Sequence, residues 1–150
     1  MLSKIRTVAL NGMQGMEIEI QTDLSPGLPY FEITGMGDTA VREAAGRVKR
    51  AIANSGFEYP RHKITVNLAP AYVKKSGSHF DLGIAVGLLK ASGALKGKTD
   101  DTIFIGELSF DGKVLPARGV LPMITAVSAV LGIAGAKEIV IPEANCPEAY

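Results

Sequence analysis

Residues that build disulfides, metal sites and stacking platforms are scarce in this sequence. Cys146 is the single cysteine, which excludes an internal disulfide and argues against a cysteine-based zinc site. Tryptophan is absent and aromatic residues make up only 6% of the chain, so the composition predicts no stacking platform for single-stranded nucleic acid. We therefore expect no metal and no cofactor in this domain, and a reducing, cytoplasmic location.

Neither sign of charge is in excess, and long apolar runs are missing. Sixteen basic residues oppose fifteen acidic ones, leaving a formal net charge of +1, so only a local basic patch would support nucleic-acid binding. Residues 120–136 form the longest uncharged stretch, but it is shorter than the roughly 20 residues of a membrane span and carries Pro122. We predict a buried helix there and no membrane partner.

The bulk composition suits one domain. At 150 residues and 47% hydrophobic content, the chain can bury roughly 68 to 70% of its unfolded surface, which is enough for a core. No linker, repeat or low-complexity run divides it. We therefore interpret residues 1–150 as a single α+β domain with a mixed sheet and three main helices.

Periodicity predicts the elements of the first half. Apolar and polar residues alternate in segments 4–10, 16–22, 30–34 and 63–68, which predicts strands with one wet face, arranged before Lys63 as an antiparallel meander. Apolar residues recur at helical spacing after Asp38, a favourable N-cap, until Asn54. This segment predicts one continuous helix.

The second half contains a helix that must be central. Residues 82–89 are apolar on every side, a pattern typical of a buried helix. Strands are predicted at 103–108 and 113–115, joined by the hairpin signal Asp111-Gly112. A third helix over 120–131 and a strand over 138–141 complete the pattern.

Two glycine-rich segments imitate nucleotide-binding motifs. The segment Gly35-Met36-Gly37-Asp38-Thr39-Ala40 fits the dinucleotide pattern, but no acidic residue ends the next strand, which closes at Asn67. The segment from Gly93 to Thr99 resembles a P-loop with one residue too few, and it follows a helix instead of a strand. We interpret both as turns, and the neighbouring Asp100-Asp101 pair as solvated carboxylates, not a Mg²⁺ site.

A cluster of basic residues is the remaining candidate site. Arg42, Arg47, Lys49 and Arg50 share the polar face of the first predicted helix, and Lys74 and Lys75 follow the next strand, near Arg61 and Lys63. Such residues could contact phosphates without reading bases, whereas the alternative is an ordinary solvated surface. His62 is predicted to be exposed.

Several motifs occur in the order found in one known family. They are Leu28-Pro29-Tyr30-Phe31-Glu32-Ile33, Ala53-Asn54-Ser55-Gly56-Phe57, the stretch from Ile64 to Leu82, Phe104-Ile105-Gly106-Glu107-Leu108-Ser109 and Arg118-Gly119-Val120-Leu121-Pro122-Met123. The chain from about Lys4 to Asn145 resembles the amino-terminal domain of ComM-type, magnesium-chelatase-like (ChlI-related) AAA+ ATPases. The resemblance implies a Lon-protease-like fold, of the kind named after ribosomal protein S5 domain 2.

The resemblance also implies that the Lon-type Ser/Lys dyad has been lost. Aligned on Gly77, the serine position holds His79, and aligned on Pro116 and Gly119, the lysine position holds Leu121. An aliphatic side chain cannot take a proton, so the resemblance implies no peptidase activity.

A rearranged peptidase, with Ser76 or Ser78 as nucleophile and His79 or Lys75 as base, remains an alternative. It is weakened because adjacent residues on an extended loop point apart. His79 is instead expected to pack or to form a hydrogen bond near the helix entrance.

By resemblance, the function is that of an accessory domain. We expect it to serve ring assembly and DNA handling, such as branch migration in natural transformation, in a homo-oligomer that is hexameric in the full protein. An ATPase module beyond Tyr150 would bind ATP and Mg²⁺. The other alternative is an assembly domain without DNA contact. Where the family has Gly-Leu-Pro-Asp, this chain has Gly35-Met36-Gly37-Asp38, which predicts a looser loop.

Overall fold

A computed structural model of the protein describes residues 1–11, 14–125 and 138–149. In chain order the strands are β1 (Leu2–Asn11), β2 (Gln14–Ser25), β3 (Tyr30–Thr34), β4 (Lys63–Ala69), β5 (Thr102–Phe104), β6 (Glu107–Leu108), β7 (Val114–Leu115) and β8 (Glu138–Val140). The helices are α1 (Thr39–Arg42), α2 (Ala44–Asn54) and α3 (Asp81–Ala91), with a 3-10 helix at Glu143–Ala149. Residues 120–125 are also helical.

Six strands form one mixed sheet in the order β3-β4-β2-β1-β5-β8. Strand β2 is antiparallel to both β1 and β4, whereas the other pairings are parallel. Strands β6 and β7 form a separate antiparallel pair across Asp111-Gly112, as the hairpin signal predicted. The chain is therefore a single mixed α/β domain with few helices.

The predicted antiparallel meander is wrong at β3. This strand lies at the edge of the sheet and pairs parallel with β4, from Tyr30 opposite Lys63 to Thr34 opposite Asn67. Parallel neighbours need a crossover connection, and α1 and α2 supply it. Alternation within a strand fixes which face is buried but carries no information on strand direction.

The main core lies between the sheet and helices α2 and α3. Alternate residues of β1, β2 and β4 point into it, including the fully buried Ile5, Ile20 and Val66. Helix α3 contacts β1 and β2 closely because Gly83 faces them, and a Cβ there would lie 2.5 Å from Ile20 Cδ1. The prediction that this helix is central is confirmed.

The opposite face of the sheet is partly wet, as predicted. A second apolar cluster that includes Val8 and Met123 covers it near β1 and β5. Further along, polar side chains form a hydrogen-bonded chain across three strands, in which Thr34 Oγ1 donates to Asn67 Oδ1 and Asn67 Nδ2 donates to Gln21 Oε1, both at 2.9 Å.

The first predicted helix and the strand predicted over 103–108 are each interrupted. Asp38 is the N-cap of α1, as expected, but Glu43 separates α1 from α2. The 103–108 strand divides into β5 and β6 because the Gly106 amide donates to His79 O, and Gly106 O accepts from Leu82 N. These bonds turn the chain towards the start of α3.

The third predicted helix and the membrane prediction are only partly covered by the structure. Of the helix predicted over 120–131, residues 126–131 lie outside the described residues, and so does most of the 120–136 stretch. Across the described ranges, no helix combines the length and apolar character needed to cross a membrane. The strand predicted over 138–141 is β8.

The close contact between Gly35 and β4 generates a stability prediction. Gly35 has φ +105° and an added Cβ would lie 2.3 Å from Leu68 O, whereas Gly56, with φ +87°, has open space around that position. Both Gly35→Ala and Gly56→Ala should lower the free energy of unfolding by about 1 kcal/mol through backbone strain, and Gly35→Ala by at least about 2 kcal/mol more through the clash. Urea unfolding measures both, and equal losses would contradict this packing.

Candidate functional site

The loop between β4 and α3, residues 70–80, is held in place by a buried lysine. The Lys75 side chain is fully buried, and its Nζ donates to Gly35 O at 2.6 Å and to Pro70 O. Its backbone also pairs with the 35–38 loop, through Lys75 N to Met36 O and Asp38 N to Lys75 O, both at 2.9 Å. Burial lowers the pKa of the Lys75 ammonium. The prediction that Lys75 belongs to an exposed basic surface is therefore wrong.

The glycine-rich loop before α1 is occupied by protein groups. Asp38 Oδ1 accepts from Val41 N at 2.9 Å, and Asp38 Oδ2 accepts from Gly77 N at 3.2 Å. This carboxylate caps α1 and ties the loop to Gly77. The loop is therefore a capped turn, although β3, α1, α2 and β4 form a parallel crossover. Lys75 bonds to the residues on both sides of Gly37, while the looser loop expected from Gly37 stays a prediction.

Arg47 forms an ion pair instead of facing solvent freely. Its Nε donates to Asp81 Oδ2 at 2.6 Å, and its Nη2 donates to Asp81 Oδ1 at 3.0 Å and to Ala40 O at 2.7 Å. Asp81 is fully buried and also accepts from Leu108 N at 3.1 Å. The hydrogen bonds with Asp81 raise the pKa of the Arg47 guanidinium.

The sequence prediction that Arg47 lies on a free phosphate-binding face is therefore wrong. Helical spacing put Arg47 on the polar side of α2 but could not show that α3 begins next to it. The sequence did carry one signal: Asp81 is the first residue of a helix whose next eight residues are apolar. A buried carboxylate requires a partner, and Arg47 supplies it.

His79 is buried at the entrance of α3, as predicted. Its Nε2 lies 2.8 Å from Val8 O, and its ring lies 4.1 Å from that of Phe80. A carbonyl oxygen only accepts, so Nε2 carries the proton of this hydrogen bond. Burial lowers the pKa of His79, which keeps the imidazole neutral around pH 7.

A cleft of about 390 Å³ lies beside this histidine, where the Lon resemblance places a peptidase site. It is lined in part by Ser76, Ser78, His79 and Arg118. Within the described residues, no hydrogen bond joins the hydroxyl of either serine to His79 or to Lys75. Leu121, at the second degenerate position, is half exposed. Among the described residues that line the cleft, neither serine is therefore hydrogen-bonded to His79.

The other basic candidates lie in solvent. Arg42, Lys49 and Arg50 are exposed at helical spacing on α1 and α2, and we call them the basic face. The Lys49 ammonium lies 5.7 Å from the Tyr59 ring centroid, and the Arg50 guanidinium lies 4.8 Å from that of Phe110. Sequence reasoning missed these aromatic partners because they come from other parts of the chain. Lys74, Arg61, Lys63 and His62 are also exposed.

The segment that imitates a P-loop is a turn, as predicted. Residues 93–99 form the turn from α3 to β5, and Lys90 Nζ closes it by donating to Gly97 O and Thr99 Oγ1, both at 2.9 Å. No group of three or more His, Cys, Asp or Glu side chains within the described ranges is arranged to hold a metal ion.

Comparison with known proteins assigns the family. The family model described as subunit ChlI of Mg-chelatase matches residues 20–145. The chain belongs to this family. It is 41% identical over 145 residues to YifB of Escherichia coli and 37% identical over 149 residues to competence protein ComM of Haemophilus influenzae. These alignments cover 96% and 99% of this chain but 28% of each relative, so the chain spans less than a third of their length.

A more distant relative agrees with the Lon resemblance. The archaeal Lon protease of Pyrococcus abyssi is 28% identical over 150 residues, which are 96% of this chain and 14% of that protein. The family resemblance inferred from the motifs is confirmed by the family model and by ComM itself.

The Arg47 and Asp81 ion pair generates a second prediction. Arg47→Met should lower the free energy of unfolding by about 3 kcal/mol, because it leaves the fully buried Asp81 carboxylate without its charged partner. The matched control is Lys49→Met on the same helix, where an exposed cation is removed and the change should stay within about 0.5 kcal/mol. Urea unfolding measures the free energy of unfolding of both variants. A loss in Arg47→Met as small as that in Lys49→Met would show that the ion pair is not needed.

The environment of His79 generates a prediction about pH. Because burial lowers its pKa in the folded state, the unfolded chain binds a proton first, near pH 6.5. Its contribution to stability is complete above that pH and decreases as the pH falls towards the folded-state pKa. His79→Gln, whose amide can still donate to Val8 O, should flatten this dependence. Urea unfolding from pH 7.5 down to 5 measures it; an unchanged slope would contradict the assignment.

Proposed function

We propose that this chain is a non-catalytic domain of a larger magnesium-chelatase-like ATPase, and that it serves ring assembly and DNA handling. The observation that carries the proposal is the separation of two surfaces. Polar groups at the former peptidase position bond to the protein itself, whereas the basic face, Arg42, Lys49 and Arg50, is exposed.

The absence of catalysis is supported by the surroundings of each candidate base. The Lys75 ammonium donates to two carbonyl oxygens, and the protonated Nε2 of His79 donates to a third. A nucleophile is activated only by a base within hydrogen-bond reach. Leu121 contributes an aliphatic side chain where Lon-like peptidases have a lysine.

The DNA-handling role is supported by the chemistry of the basic face. Guanidinium and ammonium groups on an exposed helix can neutralise phosphates without reading sequence. Lys74 on the loop after β4 is a further exposed candidate. One relative is named competence protein ComM, which is consistent with a role in natural transformation, and branch migration is the activity we propose for the whole protein.

The remaining parts of the proposal concern the whole protein. An AAA+ ATPase module C-terminal to these residues would bind ATP and Mg²⁺ and supply the mechanical work, and six copies would form a cytoplasmic ring. The identity with archaeal Lon protease along nearly the whole chain supports a Lon-like fold for this domain.

DNA binding tests the proposal directly. The variant Arg42→Glu, Lys49→Glu, Arg50→Glu should bind a labelled DNA duplex more weakly, and the slope of log K against log salt should become shallower by roughly 2 to 3. Arg47 is left unchanged because it pairs with Asp81. Fluorescence anisotropy across a salt series gives both quantities.

The control must match the change in net charge. Lys4, Lys96 and Lys98 are exposed elsewhere on the domain, so replacing all three with glutamate alters the total charge equally. This control should retain most of the affinity and the wild-type slope. Equal weakening in both variants would show a nonspecific charge effect. An absence of binding by the wild type at low salt would support an assembly domain without DNA contact.

A further inference from the structure

A cleft of about 250 Å³ opens between the edge strand β3 and helix α2. Its apolar lining includes Phe31 and Tyr59, and Lys49 stands at its border. Gly46 leaves room on the helix side, where an added Cβ would approach only Arg50 Nη1, at 3.5 Å. The volume is below the roughly 300 Å³ at which small-molecule pockets begin, and it suits a single planar ring.

The aromatic surface of this cleft is rigid and uncharged. Tyr59 and Phe31 are half-buried and pack against the main core. Burial raises the pKa of Tyr59 to about 12, so its phenol stays neutral near a phosphate. The Lys49 ammonium lies over the Tyr59 ring, 5.7 Å from its centroid, so a base that stacks on this ring takes the place of a mobile cation, which then turns to a flanking phosphate.

The charges around the cleft favour an anionic ligand. The described residues that line it include Lys49 and His62 but no carboxylate. A larger cleft of about 720 Å³ shares His62 and Pro60 with it, and Arg61 lines this second cleft together with Glu58. Each of the two adjoining clefts therefore has a cation in its lining, Lys49 in the first and Arg61 in the second, which suits the phosphates of a bound strand.

We propose that the cleft between β3 and α2 receives one unpaired base of single-stranded DNA, which stacks against Tyr59 while flanking phosphates contact Lys49 and Arg61. Aromatic stacking accepts any base, and cations along the strand hold its backbone, as in other single-strand binding sites. The proposal departs from the expectation that composition gave of no stacking platform, because Phe31 and Tyr59 come together only in the fold. A paired base in a duplex is not available to enter the cleft. This inference rests on the proposed DNA-handling function and gives it a substrate class.

Three labelled oligonucleotides of equal length test the inference: a thymidine strand, the same strand with abasic sites, and a duplex. The abasic strand keeps the phosphates but has no bases to stack. Fluorescence anisotropy should give at least about fivefold tighter binding of the thymidine strand than of the abasic strand. The tyrosine fluorescence, which no tryptophan obscures, should be quenched only by the thymidine strand.

Three variants and a control locate the preference for the thymidine strand over the abasic strand. Tyr59→Leu should remove it, whereas Tyr59→Phe should keep it. Gly46→Leu should also remove it by filling the cleft, since an added Cβ at this position meets only Arg50 Nη1, at 3.5 Å. Tyr72→Leu is the control, because Tyr72 is highly exposed and does not line the cleft. Circular dichroism establishes that each variant is folded.

The outcomes separate this inference from the proposed function. Equal affinity for the thymidine and abasic strands, or a preference that survives in Gly46→Leu, would overturn the base-binding cleft while leaving phosphate contacts intact. No binding of any of the three oligonucleotides at low salt would overturn both. A preference lost in Tyr59→Leu and Gly46→Leu but kept in Tyr59→Phe and Tyr72→Leu would support the cleft.

Discussion

The buried carboxylate of Asp81 fixes how three elements meet. It stands at the first residue of α3, where it accepts two hydrogen bonds from Arg47 of α2 and one from the backbone of β6. A buried charge without partners costs several kcal/mol, so α2 and β6 must lie where they can supply them. The position of α2 over the sheet depends on this arrangement. So do the positions of the basic face and of the cleft between β3 and α2.

Polar groups near the α3 entrance are used for structure. Lys75 joins two loops by bonding to carbonyl oxygens, Asp38 caps α1 and accepts from Gly77, and His79 bonds to β1. Each group would be suitable for catalysis if its donors and acceptors were free. Because they are bonded within the protein, these groups hold the loops at the α3 entrance together.

The surfaces suited to a polyanion lie on the other side of α2. Lys49 belongs both to the basic face and to the cleft against β3, so phosphate contact and base stacking would share one residue. Arg47 lies on the same helix but points towards Asp81. Side chains at different angular positions around one helix thus include a structural arginine and two exposed cations.

Local periodicity and turn chemistry predicted most strands, the central position of α3, the Asp38 cap and the hairpin at Asp111-Gly112, but not the breaks at Glu43 and Gly106. The ordered motifs also determined the family. The tertiary structure alone decided that β3 runs parallel to β4 and that Lys75 is buried.

It also decided which residues meet across long stretches of chain. Arg47 pairs with Asp81, and Phe31 and Tyr59 line one cleft with Lys49. Local pattern specifies which side of an element is buried, but it contains no information on which distant element will lie against that side. For this protein, those long-range contacts decide which charged residues remain free to bind a ligand.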